Sequence, residues 1–168
     1  MGIQGVKDTF YLALRDRVAM VNGARTTVVR GVVRPAVVVA ENELPGAAVD
    51  GIAPVETFCL RWTELRVDAQ GLIAARCEIR YATDGSAGVA GMDRGRVLGT
   101  MDAELVAALN GAPQHADGVQ LSEPVAGAAE YTATRMRVFW SDVQPGPVTV
   151  RGERLERVAA VEVFGYGQ

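Results

Sequence analysis

Ala75-Arg-Cys-Glu-Ile-Arg-Tyr81, then Asp84-Gly-Ser-Ala-Gly-Val-Ala-Gly91, then Asp93 to Leu109: this run decides how the chain is built. Its first part alternates, with Cys77, Ile79 and Tyr81 on one face of a strand and Arg76, Glu78 and Arg80 on the other. Its last part carries Val97, Leu98, Met101, Leu105 and Leu109 at helical spacing, which predicts an amphipathic helix ended by Asn110-Gly111. A strand that crosses to a helix through a Gly/Ala connector is the unit of a two-layer α+β domain. Upstream, Phe58 to Val67 predicts a second strand, and Asp68-Ala-Gln-Gly71 a tight turn with Gly at the position of positive φ. Residues 58 to 82 therefore read as an antiparallel hairpin.

Working outward, Val6, Phe10, Leu14 and Val18 recur every four residues, with Val21 completing the stripe and Lys7, Asp8, Arg15 and Asp16 turned away. That predicts a first helix over residues 5 to 21, stopped by Asn22-Gly23. The β-branched run from Arg25 to Arg34 is interrupted by Gly31 and followed by Pro35, which predicts an edge segment or projecting arm over 25–35 and a strand from Ala36 to Ala40. Residues 41–55 and 111–129, rich in Gly and Pro, read as long loops. Thr132 to Trp140 predicts a strand with Thr134, Met136, Val138 and Trp140 alternating against Arg135, Arg137 and Phe139. A small hairpin tipped at Gly152-Glu153 then feeds a last strand, Val158 to Phe164.

The expectation is a single α+β domain over 1–168, with a mostly antiparallel sheet of about five strands carrying two helices on one face. A chain of 168 residues buries a core of ordinary size without a metal or disulfide staple. Net charge is −3, with no basic tract, which argues against a dedicated nucleic-acid surface. Lys7 is the only lysine and every other basic residue is arginine, a bias that suits carboxylate pairing at interfaces and that a high-GC genome also produces. Cys59 and Cys77 fall on neighbouring predicted strands and read as two buried thiols, with a disulfide geometrically open. The N-terminus has no charged region followed by an apolar one, so no secretory signal is expected, and Val6 stands where a myristoylation pattern wants Ser or Thr. No apolar run approaches the ~18 residues of a membrane span.

Chemistry-bearing patterns are sparse. His115 stands alone in a Gly/Pro/Ala loop with only Asp117 near it, too little for a general base. Two cysteines and a distant histidine do not make a zinc set. The connector at 85–91 precedes a helix as a phosphate cradle does, but it matches neither G-x-G-x-x-G nor the Gly-Lys-Ser/Thr ending, and Ser86 lacks the G-x-S-x-G context. No catalytic residue, metal or cofactor is assigned. What remains is a polar sheet face, Arg76, Glu78, Arg80, Arg135 and Arg137, with Trp62, Phe139 and Trp140 near it. It is read either as a solvated face or as a subunit interface.

The helix-first order, the Arg/Val arm with Arg34-Pro-Ala-Val-Val-Val39, the hairpin at 58–82, the helix Asp93–Leu109 and two closing strands together resemble the tail-terminator (tail-completion) proteins of long-tailed phages and related contractile particles. The similarity is one of element order and size, and spans most of the chain. It implies a non-enzymatic structural protein that forms a ring, usually of six copies, caps the tail tube, ends its polymerisation and joins it to head or neck. Implied partners are further copies, the tube protein, sheath and head-neck connector proteins, and DNA passing the channel without sequence readout. The implied location is the virion or tail particle, assembled in the host cytoplasm. Arg30 and Arg34 on the arm, with the five sheet-face residues, are the candidate subunit interface, and the arm and long loops are where contacts to neighbouring rings are expected. The hairpin near Gly152 is more than a minimal terminator needs. Alternatives are another neck, tube-initiator or baseplate component, or a small-molecule-binding α+β module or enzyme with a pocket between sheet and helices.

Overall fold

The computed structural model describes residues 2–43, 54–121 and 131–166. In chain order these form α1 (Ile3–Val21), β1 (Thr26–Val29), β2 (Val32–Pro35), β3 (Val37–Val39), a one-turn α2 (Ala40–Glu43), β4 (Phe58–Val67) and β5 (Leu72–Thr83). Then follow α3 (Arg94–Leu109), β6 (His115–Leu121), β7 (Tyr131–Trp140), β8 (Gln144–Arg151) and β9 (Arg154–Tyr166). The α+β class and the mostly antiparallel sheet hold, but the main sheet has seven strands where about five were expected. Its order is β3-β4-β5-β9-β7-β6, with β8 also on β9 and only the β3–β4 pair parallel.

The added strands have a physical cause in what lies beside them. The predicted loop at 111–129 contains β6, which pairs only with β7, so an edge strand absorbs Gly118 and the polar residues that made the segment look irregular. β7 and β8 follow one another along the same side of β9, with pairing shifted by one residue between Trp140↔Val163 and Gln144↔Ala160, and again before Val148↔Arg157. Ser141 stitches the first shift: its N–H donates to the Glu162 carbonyl (2.9 Å) and its Oγ accepts the Glu162 N–H (3.0 Å). Near the second, a Cβ on Gly146 would sit 2.6 Å from the Val158 carbonyl oxygen, so no side chain fits there. The small hairpin tipped at Gly152 and the predicted last strand are thus one thirteen-residue strand and its partner.

The β4–β5 turn forms as read. Asp68 Oδ1 accepts from the N–H of Gln70 (2.9 Å) and of Leu72 (2.8 Å), and Gly71 takes φ +83°. The predicted inner face of β5 is inside: Cys77, Ile79 and Tyr81 are buried with Val138, Ala159, Val161 and Val163. Both long helices close over this face, α1 through fully buried Val6, Phe10, Leu14 and Val18, α3 through Leu98, Met101, Leu105 and Leu109. Phe10 sits edge-on to two indoles, Trp62 at 5.9 Å and Trp140 at 5.6 Å between ring centres. These two tryptophans therefore belong to the helix side, and only Phe139 of the three expected near the polar face lies there.

Three side chains depart from the helical stripes. Val21 is exposed because α1 ends there, Val97 is half-buried, and Asp8, expected outside, is buried and accepts a 2.7 Å bond from Gln4 Nε2. Cys59 and Cys77 are both buried and not joined by a disulfide; adjacent β4–β5 register places Cys59 beside Arg80 and Cys77 beside Trp62, so they point to opposite faces of the sheet. The connector after β5 holds itself: Asp93 accepts from the Ser86 N–H (2.7 Å) and Oγ–H, and Arg154 clamps Asp84 at 2.9 and 3.2 Å. The Ser86 amide that made the loop resemble an anion cradle is thus given to the chain's own carboxylate.

Gly95 and Gly99 lie on the exposed side of α3, and a Cβ at either would meet no atom within 4 Å. Gly95→Ala and Gly99→Ala should each raise unfolding stability by about 0.5–1 kcal/mol, read as a higher urea midpoint at unchanged slope. A lower midpoint would mean that these glycines serve a close contact.

Candidate assembly surfaces

The arm expected over 25–35 is a two-stranded hairpin outside the main sheet, with Thr26↔Pro35, Val28↔Val33 and Val29↔Val32 in register. Arg30 and Gly31 form its turn at φ +50° and +80°, the pair of positive values that a two-residue hairpin needs. Val29 packs under it with Val38, Ala40 and Cys59, on the sheet face opposite the helices. Val28 and Val33, paired on its outward face, are left 61% and 67% exposed, and Val32, paired with Val29, is 60% exposed, on an element that is marginal as an isolated pair of strands. Arg30 is exposed at the tip and Arg34 half-buried on β2.

The arm's root is fixed by charge. Arg25 pairs through Nε with Glu104 Oε2 of α3, and its Nη2 lies 3.1 Å from Oε1, which also accepts a 2.7 Å bond from Asn22 Nδ2. Both partners are nearly enclosed, at 10% and 7% side-chain exposure. Glu56 lies 4.0 Å from the same guanidinium. Glu104 was not singled out in the sequence, although its place one residue before Leu105 on the helix's buried side was readable. What was missing was the cation, 79 residues away.

The structure brings Arg76, Glu78, Arg80, Arg135 and Arg137 onto one open sheet face, as alternation predicts. There they form a ladder across strands: Arg76 to Glu162 (3.1 Å), Arg80 to Glu156 (3.2 Å) and Arg137 to Asp117 (3.3 Å), with Glu78 in register beside Arg61. Glu156 is buried beneath Arg80 and Arg151, whereas Arg135 is exposed and in no ion pair among the described residues. Arg30 and Arg34 stand apart from this ladder, on the arm. His115, expected in a loop, opens β6 with its ring 5.5 Å from Phe139, and Asp117 turns to Arg137 and not to the imidazole. Cross-strand register continues that row to Phe164, giving His115, Phe139 and Phe164 side by side on adjacent strands. The signal was present in the alternation of Phe139 with Arg135 and Arg137.

On the helix side, a cleft of about 300 Å³ opens between α1, α2 and β4, lined by Gln4, Lys7, Asp8, Tyr11, Val39, Glu41, Asn42 and Trp62. Lys7 Nζ stands 5.7 Å from the centre of the Trp62 ring, and Glu41 Oε1 accepts the backbone N–H of Trp62 at 3.0 Å. Burial pushes the Asp8 carboxyl above its ordinary range, against the lowering effects of the Gln4 bond and of Lys7. Between β5 and α3, burial and the bond it donates to Asp102 Oδ1 (2.6 Å) raise the Tyr81 phenol; Arg157 holds the same carboxylate and so ties α3 to β5 and β9. No group of three or more His, Cys, Asp or Glu is placed to hold a metal ion among the described residues. No protein-family model matches the chain, and a search of curated proteins finds no match.

Glu104→Ala should cost about 3–5 kcal/mol, because it strands the Arg25 guanidinium in a nearly dry site, and should free the arm's root to faster amide exchange. A loss under about 1 kcal/mol in chemical denaturation would show that the pair is as weak as a surface one. Asp8→Asn should do the opposite. A carboxyl raised by folding penalises the folded state once it ionises, so the variant gains stability at neutral pH and the gain vanishes as pH falls below the ordinary value of 3.8. An equal gain at pH 3 and pH 7 would refute that account.

Proposed function

We propose that the protein is a structural subunit that works by self-assembly, as the ring that terminates a phage-like tail tube and joins it to head or neck. What carries this reading is the arm: a hairpin held at a charged root but presenting three valines to solvent, and paired with no other strand among the described residues. The ladder of alternating charges on the open face supports it, since mixed-sign charge around Phe139 is the composition of a wet, specific protein contact. The order of helix, arm, hairpin, helix and closing strands is the feature on which the resemblance to the tail terminators rests.

A ring built from one kind of subunit needs two different, mutually complementary surfaces on each copy, and the arm and body supply surfaces of different chemistry. The tail tube protein is the partner whose end the ring would cover, with neck and sheath proteins beyond it. Native mass spectrometry and negative-stain imaging of the purified chain, alone and with tube protein, should show closed rings, six copies being the expected number. A monomer under both conditions would end this reading.

A further inference from the structure

The cleft beside α1 holds two carboxylates, Asp8 and Glu41, to one cation, Lys7. Neither Asp8 nor Glu41 has an ion-pair partner within 4 Å among the described residues, and Lys7, the chain's only lysine, is over the Trp62 ring. Asn42 and Gln4 add carbonyl acceptors to the same walls. A guanidinium, with five donors in a planar fork, is the group that such a set of acceptors receives best. The arm carries one at its tip. Arg30 is exposed, in no ion pair among the described residues, and held at φ +50° in a turn where Gly or Asn would sit without strain. An unfavourable residue at a turn otherwise built to standard geometry points to a use for its side chain.

We propose that Arg30 of one copy enters the cleft between α1, α2 and β4 of a second copy, with the exposed valines of the arm laid against the cleft's rim. The occupant is a second copy because arm and cleft match in charge on the same polypeptide: a cationic tip and a cleft whose side chains sum to −1 (Lys7 against Asp8 and Glu41). The contact is head to tail, since the arm of each copy is used once and the cleft of each copy once. It rests on the assembly reading above and adds to it by giving the arm a neighbour within the ring.

Two single variants test it. Arg30→Gly removes the guanidinium and suits the positive φ, so it should unfold no earlier than wild type. Glu41→Arg places a like charge in the cleft at an exposed position. Each alone should weaken self-association about tenfold or more. Mixed one to one, they should form dimers that do not grow, because only the Glu41→Arg arm and the Arg30→Gly cleft still fit each other. As a second measurement that keeps the guanidinium, Val32→Cys beside the tip of the arm, mixed with Asn42→Cys, should give a disulfide-linked dimer under oxidation, Cys59 and Cys77 being buried. Rings that form equally well from either variant, or a cysteine mixture with no cross-link, overturn this contact and leave the ring intact. Open chains or dimers sensitive to both substitutions keep the contact and refute the ring. A wild-type chain that stays monomeric both alone and with tube protein overturns both.

Discussion

The β5–β9 ladder is the constraint on which the rest depends. Its register runs without a break from Leu72↔Tyr166 to Thr83↔Leu155, joining the middle of the chain to its last described strand. Because side chains alternate strictly along both strands, this single register sends Cys77, Ile79, Tyr81, Ala159, Val161 and Val163 to the helices and Arg76, Arg80, Glu156 and Glu162 to the other side. A slip by one residue would exchange the two sets. Everything placed against the ladder inherits its sidedness: β4 on one flank, β7 and β8 on the other, and the helices over the apolar face.

That ladder also separates what the sequence made legible from what it did not. α1, the β4–β5 hairpin and α3 are local, with stripes and a turn whose residues lie within a dozen positions, and they were readable. β6 was not, because its strand character comes from β7, and its own residues carry Gly, Asp and His. Asp8 and Glu104 were not legible as buried for one reason: the groups that make their burial tolerable come from tertiary structure or an adjacent turn. The open face was assembled correctly from alternation alone. Its pairing was not, since Arg76 finds its carboxylate on β9, 86 residues later.

The arm is governed by a different balance. Its inward face contributes little, with Val29 alone joining the small cluster of Val38, Ala40 and Cys59. Its position is set at the base, where Ala36 N–H donates to Arg25 O at 3.0 Å, Phe58 N–H donates to Ala36 O at 2.8 Å, and Arg25 is seized by Glu104. A hairpin anchored at one end by a nearly dry ion pair and left apolar along its outer face is stiff in direction and unsatisfied in surface. Those are the properties of a docking element more than of a core element.

The single lysine fits the same logic. Sixteen arginines were available to this chain's composition by count, as 17 basic residues less Lys7, yet lysine faces Trp62. An arginine at that position would bring its own forked guanidinium to Asp8 and Glu41 and fill the cleft from within. Lysine, a compact ammonium over the indole, offsets one of the cleft's two negative charges and leaves the other to another cation. The local residue that looks like a solvated helix charge in the sequence is therefore part of what keeps the cleft open, and an open cleft is what a neighbouring arm requires.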